Sequence, residues 1–278
     1  MRIRLNIAYD GTDFRGWARQ PGLRTVQGVL ETAIARVLGG DPRLVVAGRT
    51  DAGVHASGQV AHLDLDDAQR ARLVARRGGD DAVADLAHRI RGVLGPYPDV
   101  TVSRTSVAPE GFDARFSAVW RRYEYRVADD VPGYDPLERA RTTRVRGVLD
   151  EGAMDTAARS LIGLHDFAAY CKPREEATTI RTLLAFGWRR GPDGVLVAEA
   201  TADAFCHSMV RGLVGACVAV GSGRLTVADV VRLREEVVRT SAFAVLAARG
   251  LTLAEVGYPA DELLAARAEQ TRARRQPQ

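Results

Sequence analysis

The chain has almost no lysine: Lys172 is the only one among 39 lysine and arginine residues. Arginine carries a planar guanidinium that pairs with phosphate and stacks on nucleobases. Together with a net charge of +4 and an isoelectric point near 9.2, this bias favours an anionic partner such as RNA. A genome-wide preference for arginine and alanine accounts for the bias equally well, so composition alone leaves the partner open.

Long apolar runs are also missing, and none is long enough to cross a bilayer. Residues 1–10, MRIRLNIAYD, alternate polar and apolar side chains instead of forming the basic and apolar blocks of a signal peptide. The sequence therefore predicts a cytoplasmic protein. The three cysteines, Cys171, Cys206 and Cys217, lack CxxC spacing. This argues against a disulfide framework or a zinc site and predicts buried free thiols.

Hydrophobic periodicity predicts the element order β-α-β-β-α-β in the first half of the chain. The expected strands span 2–10, 44–47, 59–65 and 99–107, and the expected helices span 26–38 and 83–94. The Arg/Asp/Gly-rich stretch from Asp66 to Asp81 is predicted to be a solvated excursion. The order is that of ferredoxin-like and RRM-like units, in which both helices cover one face of the sheet.

The second half repeats this order with one extra helix. Strands are expected at 116–127, 179–190, 194–201 and 251–258, and helices near Met154 and at 205–220 and 227–238. The predicted fold class is therefore α/β (α+β), with two such halves and a cleft where they meet. The predicted domains are 1–108 and 109–265, followed by a frayed tail at 266–278.

The loop GRTDAGVHA, Gly48 to Ala56, presents the carboxylate of Asp51 between two glycines. Gly48 and Gly53 permit backbone angles that a side chain would forbid, so a second molecule can approach the loop closely. The simpler interpretation is that Asp51 is a turn residue bonded to its own backbone. His55, in the same loop, is expected to be a structural hydrogen-bonding residue.

Several further motifs accompany this loop in a fixed order. They are YDGTDFRGWARQPGLRTVQG (9–28), ARFSAVWRRYEY (114–125), LIGLHDFAAYCKP (161–173), MVRGLVG (209–215) and GLTLAEVGYP (250–259). In the first of them, Phe14 and Trp17 are either aromatics that contact RNA or a hydrophobic anchor for the segment. Taken together, the motifs closely resemble those of the tRNA pseudouridine synthase A (TruA) family, and they are spread over nearly the whole chain.

The resemblance implies an isomerase that converts uridine to pseudouridine at positions 38, 39 and 40 in the anticodon stem-loop of tRNA. It also implies a central, mostly antiparallel sheet, no cofactor, and a homodimer in which each tRNA contacts both subunits. Four histidines share no metal-ligand spacing, so no metal is expected; they are His62, His88, His165 and His207. The reaction breaks the bond between base and ribose, turns the uracil within the site and rejoins it through carbon. One ionised carboxylate is compatible with this chemistry, because water is excluded and the base leaves as a delocalised anion.

The same resemblance implies the site residues. Asp51 is the catalytic carboxylate, with attack on the sugar carbon and removal of a sugar proton both open as its role. Arg211 pairs with Asp51, Arg49 helps to displace the target base from its stack, and Tyr123 stacks on the flipped uracil. The alternatives are solvated or phosphate-neutralising arginines and a core tyrosine, and Tyr125 is expected to fill that core role.

Three features depart from the family pattern: Gly212 stands where the family usually has Asn, Ile90-Arg91 stands where it has Leu-Asn, and the excursion at Asp66 is long. They bear on how tRNA docks and not on the reaction. Two other functions stay open from sequence: a non-enzymatic RNA-binding protein in which Asp51 only forms a turn, and a related synthase that acts on a different RNA.

Overall fold

The computed structural model describes residues 1–75, 79–133, 135–173 and 178–273. The chain forms two compact units: the first contains Met1–Val119 together with the segment that begins at Leu253, and the second contains Trp120–Thr252. The predicted domain boundaries, 1–108 and 109–265, stay a prediction.

The first unit is a mixed α/β structure. Its strands are β1 (Arg2–Tyr9), β2 (Leu44–Val46), β3 (His55–Asp64), β4 (Val100–Val107) and β10 (Leu251–Gly257, mostly in this unit), and its helices are α1 (Val26–Leu38), α2 (Asp67–Val74), α3 (Gly79–Leu94) and α7 (Leu264–Ala273). The strand order is β4-β1-β3-β10, with β2 paired to β3. The pairings of β1 with β3, β1 with β4 and β2 with β3 are antiparallel.

The burial of residues along β1 explains why the alternating sequence pattern predicted this strand. Ile3, Leu5 and Ile7 are at most 1% exposed, and the residues between them are only partly buried. Helix α1 begins at the predicted residue because Thr25 accepts a hydrogen bond from the Gly28 amide, which satisfies one of the free N–H groups of the first turn. The predicted order of the first half is confirmed apart from one added helix, α2.

The stretch from Asp66 to Asp81 is exposed at most of its described residues, as predicted, but it is largely helical. Helix α2 occupies 67–74, because Asp66 and Gln69 form a reciprocal capping box that stabilises its first turn. Leu73 is buried, and Arg72 donates to the carbonyl of Leu38 at the end of α1, 3.3 Å away. Residues 76–78 lie outside the described residues.

The second unit follows the predicted order with additions. Its strands are β5 (Trp120–Ala128), β6 (Thr143–Arg144), β7 (Gly163–Asp166), β8 (Ile180–Arg190) and β9 (Leu196–Ala202), and its helices are α4 (Glu151–Ser160), α5 (Met209–Gly221) and α6 (Val227–Glu236). The strand order is β5-β9-β8-β7, with β6 paired to β5. The pairing of β5 with β6 is parallel, and the pairings of β5 with β9, β8 with β9 and β7 with β8 are antiparallel. The predicted fold class, α/β with mostly antiparallel strands, is confirmed.

The tail predicted to fray is helical up to Ala273. Leu264 and Ala268 are buried, and the Arg272 guanidinium lies 2.9 Å from the Asp113 carboxylate. Apolar positions four apart were enough to dock this helix, although the surrounding residues are polar. Residues 274–278 lie outside the described residues.

The prediction of three free thiols is correct only for Cys217, which is free and buried. Cys171 and Cys206 form a disulfide, with 6.0 Å between their Cα atoms. They are 35 residues apart in sequence, and count and spacing do not reveal which distant residues the fold brings together. In the described part of the chain, no helix combines the length and apolarity needed to cross a membrane.

Candidate functional site

The Asp51 loop connects β2 to β3 in the first unit. Asp51 is half-buried, and its carbonyl accepts a hydrogen bond from the Val54 amide at 3.2 Å, which closes the turn. Arg49 is exposed on the same loop, two residues before Asp51. The loop therefore presents a carboxylate and a guanidinium at or near the surface of one unit.

The segment Tyr9–Trp17 holds this loop from one side. The Trp17 amide donates to the carbonyl of Thr50 at 3.0 Å, and the Gly53 amide donates to the carbonyl of Phe14 at 3.3 Å. The Tyr9 hydroxyl lies 2.7 Å from the Thr50 hydroxyl, and burial raises the pKa of Tyr9 to about 12, so this contact stays neutral. Two sequence motifs that are far apart in the chain thus fix the backbone on both sides of Asp51.

Phe14 and Trp17 are only 2% and 1% exposed. Tyr9 packs on both rings, with centroid distances of 6.4 and 6.0 Å. The guanidinium of Arg24 covers the outer face of Phe14, 4.1 Å from the ring centre. Of the two roles left open by the sequence, the hydrophobic anchor is therefore correct for both aromatics.

Glycines allow the two backbones to approach. A Cβ on Gly11 would overlap the carbonyl of Val54, and one on Gly16 would lie 3.1 Å from the carbonyl of Thr50. Gly53 has a φ of +77°, in the left-handed region that favours glycine. The expectation that only glycine fits the backbone was wrong for Gly48. Its φ is not positive, and a Cβ at this position would meet open space.

His55 has the structural role expected from the sequence. Its ring is 6% exposed, and its Nδ1 accepts a hydrogen bond from the Gly11 amide at 3.0 Å. Asp10 lies 3.0 Å from the same nitrogen. Burial alone would raise the pKa of Asp10, but hydrogen bonds from Thr12 and the proximity of His55 lower it overall. The ring thus ties the end of the Asp51 loop to the residues after β1.

Tyr123 lies on β5 in the second unit and is 9% exposed. Its ring meets Phe205 edge to face, with centroids 5.0 Å apart and an interplanar angle of 84°. Sequence reasoning did not single out Phe205. Phe205 lies four residues before the MVR motif and next to Cys206. This position is the signal that could have marked it as a residue near the site.

Tyr125 has the core role that the sequence assigned to it. It is fully buried, and its hydroxyl lies 2.8 Å from the Thr143 hydroxyl and donates to the carbonyl of Ala247 at 2.7 Å. Burial raises its pKa to about 12. The two tyrosines of this strand therefore differ: one is fully bonded inside the unit, and the other contacts a loop aromatic near the surface.

Arg211 lies in the first turn of α5, also in the second unit, and is partly buried. Its Nε donates to the carbonyl of Leu246 at 2.6 Å, and the Leu246 amide donates back to the Arg211 carbonyl at 3.3 Å. Ser208, just before the helix, has a φ of 62°, an uncommon conformation for a residue with a side chain. Such backbone outliers persist only where the surroundings enforce them, often near functional sites.

The departure at Gly212 has a packing reason. A Cβ at this position would overlap the carbonyl of Tyr170, so α5 contacts a neighbouring backbone directly. An asparagine would require that contact to open. The disulfide between Cys171 and Cys206 and the hydrogen bond from the Lys172 amide to the His207 carbonyl, at 2.9 Å, join the same two segments.

Arg121 and Arg122, two arginines of β5, make contacts within the second unit. Arg121 donates to the carbonyl of Asp203 at 2.8 Å, and Arg122 lies 3.2 Å from the carboxylates of Glu124 and Glu199. These contacts partly occupy both guanidinium groups.

Comparison with known proteins supports the class of protein that the motifs indicate. A family model described as tRNA pseudouridine synthase matches residues 157–259. A protein called tRNA pseudouridine synthase A from Leifsonia xyli subsp. xyli is 63% identical over 98% of this chain and 96% of its own length. Proteins of the same name from Frankia casuarinae and Streptomyces avermitilis are 52% and 51% identical, covering 100% and 99% of this chain and 96% and 94% of their own lengths.

A chain that shares half or more of its residues with these relatives over nearly its full length has the same fold and class of activity. It belongs to the tRNA pseudouridine synthase A family and is an isomerase of the pseudouridine synthase class.

Proposed function

We propose that this protein converts uridine to pseudouridine at positions 38, 39 and 40 in the anticodon stem-loop of tRNA, with Asp51 as its catalytic carboxylate. The observation that carries the proposal is the half-buried carboxylate on a loop whose backbone is fixed by the Tyr9–Trp17 segment. Relatives that share half or more of its sequence are named for tRNA pseudouridine synthesis.

The steps of the reaction define the role of the carboxylate. The bond between uracil nitrogen and ribose carbon breaks, and its electron pair leaves with the base as a delocalised anion. The base turns within the site, and its carbon 5 forms the new bond to the ribose. The proton on that carbon is then released, and the ring nitrogen that was bonded to the ribose takes up a proton, which restores the conjugated ring. Atoms and electrons then balance without a cofactor, and one ionised group at the sugar is sufficient.

The other site residues have supporting roles in this proposal. Tyr123 stacks on the displaced uracil and lies near the carbon-bound proton that leaves last. Arg211 pairs with the Asp51 carboxylate and holds it in place. Arg49 is exposed two residues before Asp51. When the target nucleotide leaves the RNA helix it loses stacking contacts, which costs a few kcal/mol, and Arg49 replaces some of these contacts.

The test uses tRNA transcripts carrying tritium at carbon 5 of uracil, because this is the position that exchanges its proton when pseudouridine forms. Incubation with the wild-type protein should release tritium, and sequencing of the product should place pseudouridine at positions 38 to 40. Release from another position would reassign the substrate site. A protein that binds tRNA and releases no tritium would be an RNA-binding module, which contradicts the proposal.

A homodimer and a cytoplasmic location complete the proposal. Light scattering during gel filtration should give about twice the 30.1 kDa mass of one chain. A single-chain mass with full activity would contradict the shared-tRNA arrangement.

A further inference from the structure

Two adjoining cavities lie beside the helices of the first unit, and none of the residues assigned to the reaction lines them. One, of about 250 Å³, is lined by the segment 19–25, α1 and the residues around Val93 and Tyr97. The other, of about 590 Å³, is lined by α1, α2 and α3. Both include Arg36 and Val93 among their walls, so they form one continuous groove beside α1.

Five arginines line this groove, together with one histidine, His88. The arginines are Arg19, Arg24, Arg36, Arg72 and Arg89. Among the described residues that line the two cavities, none carries a carboxylate. Arg24 is paired with Asp99 at 2.7 Å and Arg19 lies 3.7 Å from Glu31, but neither acid lines the groove. Because the side chains that face the groove are basic, they favour an anionic ligand.

The arginines differ in how many of their N–H donors already bond to the protein. Arg72 and Arg89 each donate one N–H to the last turn of α1, at the carbonyls of Leu38 and Val37, both at 3.3 Å. A guanidinium has five N–H donors, so both side chains are positioned by these bonds and keep donors for a ligand. Arg36 is exposed and makes no hydrogen bond or ion pair to the residues that the structure describes.

The first cavity also offers an apolar and aromatic wall. Val29, Ala33 and Val93 line it, and Tyr97, 39% exposed, stands at its edge. Arg24 lies 5.5 Å from the centre of the Tyr97 ring and is paired with Asp99 at 2.7 Å, so its position is fixed. A flat aromatic ring beside a guanidinium suits a nucleobase attached to a phosphate.

We propose that this groove binds the sugar–phosphate backbone of the tRNA substrate, at nucleotides outside the reacting stem-loop position. The inference rests on the proposed function, since it names a second contact surface for the same substrate. RNA fits better than a small anion because the basic side chains extend over two cavities, farther than one phosphate reaches. The 9–28 motif links the groove to the Asp51 loop: Trp17 donates to Thr50 at 3.0 Å, and Arg19 follows two residues later.

The test compares two double variants with equal loss of charge. Arg19→Gln with Arg36→Gln removes two groove arginines, and Arg43→Gln with Arg70→Gln removes two exposed arginines of the same unit that line neither cavity. Affinity for unmodified tRNA is measured between 50 and 200 mM salt, and tritium release is measured at saturating tRNA. Each lost phosphate contact removes about 0.7 to 0.9 from the slope of log affinity against log salt.

For the groove variant, the slope of log affinity against log salt should be less steep by about 1.5. Between the lowest and highest salt, the variant should therefore lose roughly tenfold less affinity than the wild type does. Its turnover at saturating tRNA should equal that of wild type, and the control variant should keep the wild-type slope. An unchanged slope in the groove variant, or an equal drop in both variants, would overturn the proposal.

Two further outcomes separate the possible explanations. If inorganic phosphate at constant ionic strength stabilises the wild type but not the groove variant against heat, and the tRNA slope is unchanged, the groove is a small-anion site and the RNA proposal is wrong. Wild-type tritium release with an unchanged slope would remove the groove proposal alone. Absence of wild-type release would remove the proposed function.

Discussion

The two units carry their candidate residues on different kinds of element. In the first, Asp51 lies on a turn whose backbone is bonded to a separate segment, Tyr9–Trp17. In the second, Tyr123 lies within the regular strand β5, and Arg211 lies in the first turn of α5. A strand or helix fixes a side chain through its own hydrogen bonds, whereas a turn needs support from elsewhere in the chain.

Because of this difference, substitutions should affect the two units in different ways. Changes in the second unit should act mainly through the side chain that is altered, because the strand persists. Changes in the first unit should act through the backbone of the Asp51 loop, even when the altered residue is far from Asp51 in sequence. Three substitutions separate these two behaviours.

The largest effect in this set is expected for Tyr123→Phe. The ring keeps its edge-to-face contact with Phe205, so the fold and the affinity for tRNA should persist. The hydroxyl is proposed to lie near the departing proton, so its loss should lower turnover by about a hundredfold, the lower end of the range for a positioned acid or base. Binding and single-turnover measurements check this, with Tyr125→Phe as the matched control. A collapse of affinity with unchanged turnover would show that Tyr123 binds and does not assist the chemistry.

A smaller effect is expected for Gly11→Ala in the first unit. Its new Cβ would overlap the carbonyl of Val54, so the end of the Asp51 loop must shift, at a cost of about 2 kcal/mol in unfolding free energy. Turnover should fall about tenfold, since a displacement near 1 Å at a reacting group can cost up to a hundredfold.

Gly48→Ala is the control for this substitution. It adds the same methyl group within the Asp51 loop, where nothing lies within 4 Å, and both stability and turnover should stay near wild type. Denaturant unfolding and tritium release measure the two quantities. Equal effects of the two substitutions would show that the close backbone approach at Gly11 does not support the loop.

The smallest effect on activity is expected for Tyr125→Phe. The Ala247 carbonyl and the Thr143 hydroxyl each lose a partner, which should lower the unfolding free energy by about 1 to 3 kcal/mol. Turnover below the unfolding transition should not change. Thermal unfolding and kinetics of the same preparation test this, and a loss of turnover without loss of stability would contradict the core role.

The sequence predicted the parts of the fold that rest on local patterns. Alternating apolar residues identified β1, and the cap at Thr25 placed the start of α1. It failed where tertiary contacts decide: α2 lies in a stretch that looks solvated, and α7 docks through Leu264 and Ala268.

The same distinction holds for the candidate site. The loop that carries Asp51 was evident from its motif, and the core role of Tyr125 followed from alternation along β5. The anchoring role of Trp17, the contact of Phe205 with Tyr123 and the disulfide of Cys206 each join residues that are distant in sequence. No local pattern specifies such pairs.

The central claim is that the Asp51 carboxylate performs the reaction. Its most direct test is tritium release by Asp51→Asn, with Asp13→Asn, an exposed aspartate of the neighbouring segment, as the charge-matched control. Both variants should unfold and bind tRNA like the wild type. We predict that Asp51→Asn loses activity by at least about a hundredfold while Asp13→Asn keeps it, and tritium release by Asp51→Asn at the wild-type rate would contradict the account.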